Sequence, residues 1–274
     1  MIYPVESIIY SSYPMKYIKF IVAPLIICSV CLSSVNAADL AREKRMADEI
    51  VDVILDGDAV FLEADNHQFL SIYTEAEESK GVVIILHGRG FHPDWQDTVN
   101  PLRVGLTEFG WNTLSVQLPV LEKQAEYYDY VPLFPEALPR IDAAIKFARE
   151  QGNEKVVLVA HSCGVHMAMA WIDAWDANGE QKIDAYVGLG MGATDYQQLM
   201  EKPFPFEKLT IPILDVYGEH DYPVVLRKAP ERLQSIEAAG NKKSSQSVVK
   251  GADHYYENKG EELTQVVNRW LQTL

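Results

Sequence analysis

Apolar residues are distributed along the chain in two alternating patterns. Short strand-like runs at Gly81 to Leu86, Trp111 to Leu118, Lys155 to Ala160, Ala185 to Leu189 and Ile211 to Tyr217 are rich in β-branched and leucine side chains, and those over 82–86 and 156–160 are continuously apolar. That is the composition of strands covered on both sides. Between them, apolar positions recur at helical spacing over Val99 to Phe109, which Gly110 closes, and over Glu136 to Gln151, Gly164 to Ala174, Val225 to Ala239 and about Glu261 to Leu271. Such alternation predicts βαβ units, hence an α/β fold with a mostly parallel central sheet and helices on both faces. The flanks add three elements. Leu40, Met46, Ile50, Val51 and Ile54 mark an amphipathic helix between Ala38 and Leu55. Ala59 to Ala64 and Gln68 to Thr74 predict an antiparallel hairpin around Asp65-Asn66-His67, with His67 in the turn. Ser247 to Lys250 predicts a short last strand.

The first 37 residues break the pattern. Lys16 and Lys19 precede an apolar stretch from Phe20 to Leu32, and Val35-Asn36-Ala37 supplies small residues before Ala38, the order of a secretory signal peptide. Translation starting at Met15 is compatible with it. Cleavage leaves residues 38–274 as a single domain of 237 residues, long enough for a sizeable core. The expected location is periplasmic or secreted, with no stable membrane insertion. Removing Glu6, Lys16 and Lys19 takes the net charge from −15 to −16, which disfavours nucleic acid and anionic lipid as partners. Cys163 is the only cysteine after cleavage, so no internal disulfide is possible. A monomer is the default expectation.

Candidate chemistry begins at Ala160-His161-Ser162-Cys163-Gly164, between a buried strand and a helix. It matches the nucleophile elbow G-x-S-x-G with alanine in the first glycine's place. The turn needs small residues two before and two after its centre. Centring it on Ser162 gives Ala160 and Gly164, whereas centring it on Cys163 gives His161 and Val165, so the register selects the serine.

Upstream, the strand ending at Leu86 runs into His87-Gly88-Arg89-Gly90-Phe91-His92-Pro93-Asp94-Trp95. A His-Gly pair there is suited to an oxyanion hole, and the candidate donors are the main-chain N–H groups of Arg89 and Cys163. His87 is expected beneath this turn, and His92 either reaches the pocket or supports the loop through a hydrogen bond. The stretch 121–134, with Tyr127, Tyr128 and Tyr130, follows a strand's carboxyl end, where ligands of open α/β sheets bind. It lines the substrate site or forms an aromatic surface loop.

Downstream, Asp221 and His254 follow later strands, so Ser162, Asp221 and His254 fall in the order Ser…Asp…His. A serine hydroxyl is too weak an acid to attack unaided. An imidazole must remove its proton and a carboxylate must fix the imidazole's tautomer. Asp215 and Glu219 compete for the acid, and Asp221 is favoured by its place just past the strand. The histidine pairs 87/92 and 161/166 are five apart, which does not suit two metal ligands on one helical face, so neither metal nor cofactor is expected.

These residues in their contexts resemble the α/β-hydrolase superfamily over the whole mature chain. Within it, HGRGFHPDW followed by PLRVGLTEFGWNTLSVQLP resembles a group of exported bacterial proteins classed only as a domain family of unknown function. The resemblance implies a small-molecule substrate and a serine hydrolase cleaving an ester, thioester or amide; no segment, the irregular stretch 190–210 included, is long enough for a separate lid domain. Two alternatives stand beside it: a non-catalytic envelope-binding or assembly protein on the same scaffold, and lactone hydrolysis through Cys163.

Overall fold

The five strand-like runs become the middle of one eight-stranded sheet. The strands are β1 (Asp58–Ala64), β2 (His67–Thr74), β3 (Val82–Leu86), β4 (Asn112–Val116), β5 (Val156–His161), β6 (Ala185–Leu189), β7 (Ile213–Gly218) and β8 (Ser245–Val249), in the order β1-β2-β4-β3-β5-β6-β7-β8. β1 and β2 pair antiparallel, β2 joins β4 antiparallel, and every later pairing is parallel. The structure is a computed structural model that describes residues 37–175, 181–192, 200 and 202–274. The expected signal segment, apart from Ala37, lies outside the described residues, as do 193–199 and 201 of the irregular stretch after β6. Among the described residues no helix is long and apolar enough to cross a membrane.

Because strand side chains alternate, each central strand feeds two cores. Val82, Ile84, Leu86, Val156, Leu158 and Ala160 face one, built with Ile141 and Ala144 of α4 (Phe134–Glu150) and Val165 and Ala168 of α5 (Cys163–Asp173). Val83, Ile85, Val157, Val159, Val187 and Val216 face the other, with Leu102 of α2 (Val99–Gly105) and Leu263 and Val267 of the last helix (Gly260–Leu271). Burial on both faces explains why β3, β5 and β6 read as nearly unbroken apolar runs. The result is the α/β-hydrolase fold, without a large lid among the described residues.

Two N-terminal elements differ from expectation. Asp65 and Asn66 both have positive φ, 50° and 59°, so the hairpin turn contains two residues and His67 pairs with Ala64 as the first residue of β2. A two-residue turn with both centres left-handed matches the twist of the flanking strands, and Asp and Asn tolerate that conformation. The first helix, α1 (Leu40–Ile50), is capped by the Asp39 carboxylate, which accepts from Arg42 N, and continues as a 3₁₀ turn over Val51–Val53. Its buried Glu43 pairs with Arg140 of α4 at 2.8 Å and accepts from Val120 N, while Arg42 donates to the carbonyls of Gly90 and Leu121. α1 thereby ties together the loops after β3 and β4, both at the carboxyl edge of the sheet.

Candidate active site

β5 ends at His161 and α5 begins at Cys163, so the chain reverses over one residue, Ser162, held at φ 53°, ψ −117°. This is a strained conformation for a side-chain-bearing residue. The surroundings enforce it: Ser162 N donates to Leu189 O at 2.9 Å, and its carbonyl accepts from Val165 N at 2.9 Å. A Cβ on Gly164 would lie 2.5 Å from His87 O and 3.0 Å from Leu86 O, both backbone atoms at the carboxyl end of the neighbouring β3. Gly164→Ala is therefore expected to destabilise the fold by about 3 kcal/mol, read as a lower urea midpoint at unchanged m-value.

Ser162 Oγ lies 2.9 Å from His254 Nε2, and His254 Nδ1 lies 2.7 Å from Asp221 Oδ1. A carboxylate only accepts, so Nδ1–H is the donor and Nε2 is left to accept from the serine hydroxyl. His254 and Asp221 are buried, and Ser162 is partly exposed in a cleft of about 910 Å³. Asp221 is held in turn by Tyr222 N on Oδ1 at 2.7 Å and by Gly218 N on Oδ2 at 3.3 Å. The competing acids are engaged elsewhere. Asp215 pairs with Arg232 at 2.9 Å and Gln246 at 2.7 Å, and Glu219 accepts from Gly251 N. Asp253 accepts from the N–H groups of Tyr255 and Glu257 in its own turn.

Two neighbours of the relay carry no motif. Gly190 follows β6 at φ 61°, and a Cβ there would meet His254 Cε1 at 2.7 Å and Nδ1 at 2.9 Å, so only glycine lets this loop close against the imidazole. The Tyr222 ring stacks on the His254 ring, centroids 4.3 Å apart, and its hydroxyl hydrogen-bonds that of Tyr255 at 2.7 Å. The available signals were weak: a glycine ending a buried strand, and a tyrosine next to the favoured acid.

On the opposite wall, Phe91 N donates to Gly88 O, closing a tight turn that does not consume the N–H of Arg89. Cys163 N is the first main-chain donor of α5, one of the four a helix cannot satisfy internally. Both residues line the cleft beside Ser162. His87 supports the turn from below: its Nδ1 lies 2.8 Å from Gly88 O, and its Nε2 accepts from Leu118 N at 2.9 Å. The Cys163 thiol is buried, and desolvation pushes its pKa up to about 12.

Tyr127 and Tyr130, three apart on the one-turn helix α3 (Tyr127–Tyr130), are buried and line the cleft. Tyr128 lies on the other face of that turn, exposed, and is not part of the wall. His92 also falls outside it. Its Nδ1 accepts from Asp94 N at 3.2 Å and its ring packs edge-on against Trp95, so it supports the loop while Phe91 and Trp95 face the cleft.

Three further histidines are buried as neutral rings. Desolvation lowers the pKa values of His87 and His161 to about 3 and that of His166 to about 4, from an ordinary 6.5. His161 Nε2 lies 2.9 Å from the carbonyl of His254, which it helps hold in place. In the unfolded chain these rings take up protons below about pH 6.5, whereas in the folded chain they do not until about pH 3 to 4. Stability from their burial is therefore complete above pH 6.5 and is lost as pH falls toward the folded values, at up to about 1.4 kcal/mol per pH unit for each ring. Urea midpoints are expected to be clearly lower at pH 5 than at pH 7.5. Equal midpoints would contradict neutral burial.

Residues 33–130 match a family model described as a protein of unknown function (DUF3530). No curated protein matches the chain. Among solved structures it is similar to Est1E from Butyrivibrio proteoclasticus, with 17% identity, a TM-score of 0.58, and 80% of this chain and 98% of that one covered. It is also similar to dienelactone hydrolase from Anabaena variabilis, with 16% identity, a TM-score of 0.60 and coverage of 80% and 97%. A third is XC6422 from Xanthomonas campestris, described as an α/β serine hydrolase without a lid, with 12% identity, a TM-score of 0.57 and coverage of 80% and 95%. At these identities the likeness concerns the scaffold.

Proposed function

We propose that this chain is a serine hydrolase that cleaves an ester, thioester or amide through an acyl-enzyme. The observation that carries the reading is the continuous hydrogen-bonded line from Asp221 through His254 to a partly exposed Ser162 hydroxyl in a cleft. In this mechanism His254 Nε2 takes the Ser162 proton as Oγ attacks the acyl carbon. The carbonyl oxygen becomes an oxyanion that accepts from Arg89 N–H and Cys163 N–H, and collapse expels the leaving group with the proton from His254. A water activated by the same imidazole then cleaves the acyl–Ser162 bond and restores the enzyme. Asp221 keeps Nδ1 protonated throughout and stabilises the imidazolium.

Neither alternative draws comparable support. A non-catalytic scaffold has no need of a serine within 2.9 Å of a carboxylate-oriented imidazole. Attack by Cys163 would need a thiolate, and burial disfavours that form. The order of charge, apolar stretch and small residues over 16–37 supports a periplasmic or secreted location.

A fluorophosphonate probe should label the wild type in an extracytoplasmic fraction, on the peptide containing Ser162. Iodoacetamide should leave ester hydrolysis unchanged. A folded protein that neither takes the probe nor hydrolyses short acyl esters would overturn the proposal, and loss of activity with iodoacetamide would return it to Cys163.

A further inference from the structure

The chain carries 39 acidic and 24 basic residues, yet the cleft beside Ser162 has the opposite balance. Arg42, Arg89, Lys123 and Arg227 line it against two carboxylates, Glu122 and Glu126. The Glu126 carboxylate is occupied in capping α3, where it accepts from the main chain of Asp129. Among the described residues, none of the four cations has a carboxylate within ion-pair distance, although Lys44, Arg103, Arg140, Arg149, Lys182, Lys208, Lys228, Arg232 and Lys259 all do. Arg42 has a structural task, donating to Gly90 O and Leu121 O. Arg89 spends one nitrogen on Ala125 O, which fixes its guanidinium over the loop that ends at Tyr127. Lys123 and Arg227 are exposed on the cleft rim. They come from separate loops and helices, so the sign of the cleft is a property of the assembled site and not of one basic segment.

Arg89, Lys123 and Arg227 are exposed, so each attracts an anion at short range and under salt screening, and it is their convergence on one cleft that gives the site its sign. Guanidinium groups also present forked donors that match planar or tetrahedral oxyanions. We propose that the site selects substrates carrying an anionic group, a carboxylate or a phosphate, which Arg89, Lys123 and Arg227 hold while the acyl carbon stands at Ser162. This rests on the hydrolase reading above and adds the class of substrate.

The test compares mono-4-nitrophenyl adipate with its methyl ester, which moves the charge on the acyl side. A second pair, 4-carboxyphenyl butyrate and its methyl ester, moves it on the leaving group. Charge also alters intrinsic ester reactivity, so the readout is how the acid-to-ester ratio of kcat/KM changes on substitution. In Arg227→Gln and in Lys123→Gln/Arg227→Gln this ratio should fall by about tenfold for at least one pair, chiefly through KM. In the wild type it should fall as NaCl is raised to 0.5 M. The 4-nitrophenyl ester of 5-phosphonopentanoate, set against the adipate, tells a phosphate-type ligand from a carboxylate. Ratios that do not respond to either substitution or to salt, in a protein that labels at Ser162 and hydrolyses the neutral esters, would overturn the anionic preference and leave the hydrolase reading intact. Absence of both labelling and hydrolysis of every ester would overturn both.

Discussion

Ser162→Ala should lower kcat/KM for any ester the protein hydrolyses by about 10⁴- to 10⁶-fold while leaving the fold and its urea midpoint nearly unchanged. The two parts of this expectation have different sources. The rate falls because the attacking atom is gone, and neither His254 nor the main-chain donors can replace a covalent intermediate. What remains is the contribution of a polarised carbonyl and a held substrate, on which water acts slowly. Stability is spared because the elbow is fixed by its backbone: Ser162 N on Leu189 O, Val165 N on Ser162 O, and the close approach of Gly164 to His87 O. None of these uses the hydroxyl. The two substitutions in this turn therefore separate cleanly. Gly164→Ala weakens the fold, and Ser162→Ala removes the chemistry from an intact protein. His254→Ala should cost about as much as Ser162→Ala, and the double variant little more, because the groups act in one step. Retention of a tenth or more of wild-type activity in Ser162→Ala would place the nucleophile elsewhere.

What could be read from the chain follows from where each feature is encoded. A strand buried on both sides is mostly apolar, so β3, β5 and β6 are written in their own residues, while β4 and β7, which bury Asn112, Thr113, Ser115 and Asp215, are legible through their alternation with helices. The elbow is equally local, since its steric demand falls on residues 160, 162 and 164 alone. Asp221 and His254 were accessible through topology, because in a parallel sheet successive loops open on one edge. Contacts between loops were not accessible. Nothing in the neighbourhood of Gly190 indicates that an imidazole from residue 254 will lie against its Cα. Nothing near Arg42 indicates that a helix before the first strand will hold Gly90 and Leu121. His92 and Tyr128 show the converse: the type of residue and the loop fit a pocket wall, but a turn of backbone sets the side chain on the other side. Strand order has the same character, because the insertion of β4 between β2 and β3 leaves no trace in hydrophobic periodicity.

Asp221→Asn should lower kcat/KM by about 10⁴-fold although the side chain keeps its shape. Asp221 Oδ1 accepts from both His254 Nδ1 and Tyr222 N, at 2.7 Å each, and Oδ2 accepts from Gly218 N at 3.3 Å. All three partners present hydrogens, and only a carboxylate has acceptors on both sides. An asparagine must turn its amide nitrogen toward one of them. If it faces Gly218, a donor meets a donor, but the oxygen can still hold Nδ1–H. If it faces Oδ1's partners, it opposes Tyr222 N–H and drives His254 to the tautomer protonated on Nε2, which cannot accept the serine proton. In either case the negative charge that stabilises the imidazolium is lost. Asp215→Asn is the informative contrast. That carboxylate is buried against Arg232 and Gln246 and does not touch His254, so neutralising it leaves a buried guanidinium without its counter-charge and should lower the unfolding midpoint. The folded fraction should keep its kcat. A variant series in which Asp215→Asn lost the rate and Asp221→Asn lost only stability would reverse the two roles, and with them the identity of the third member of the relay.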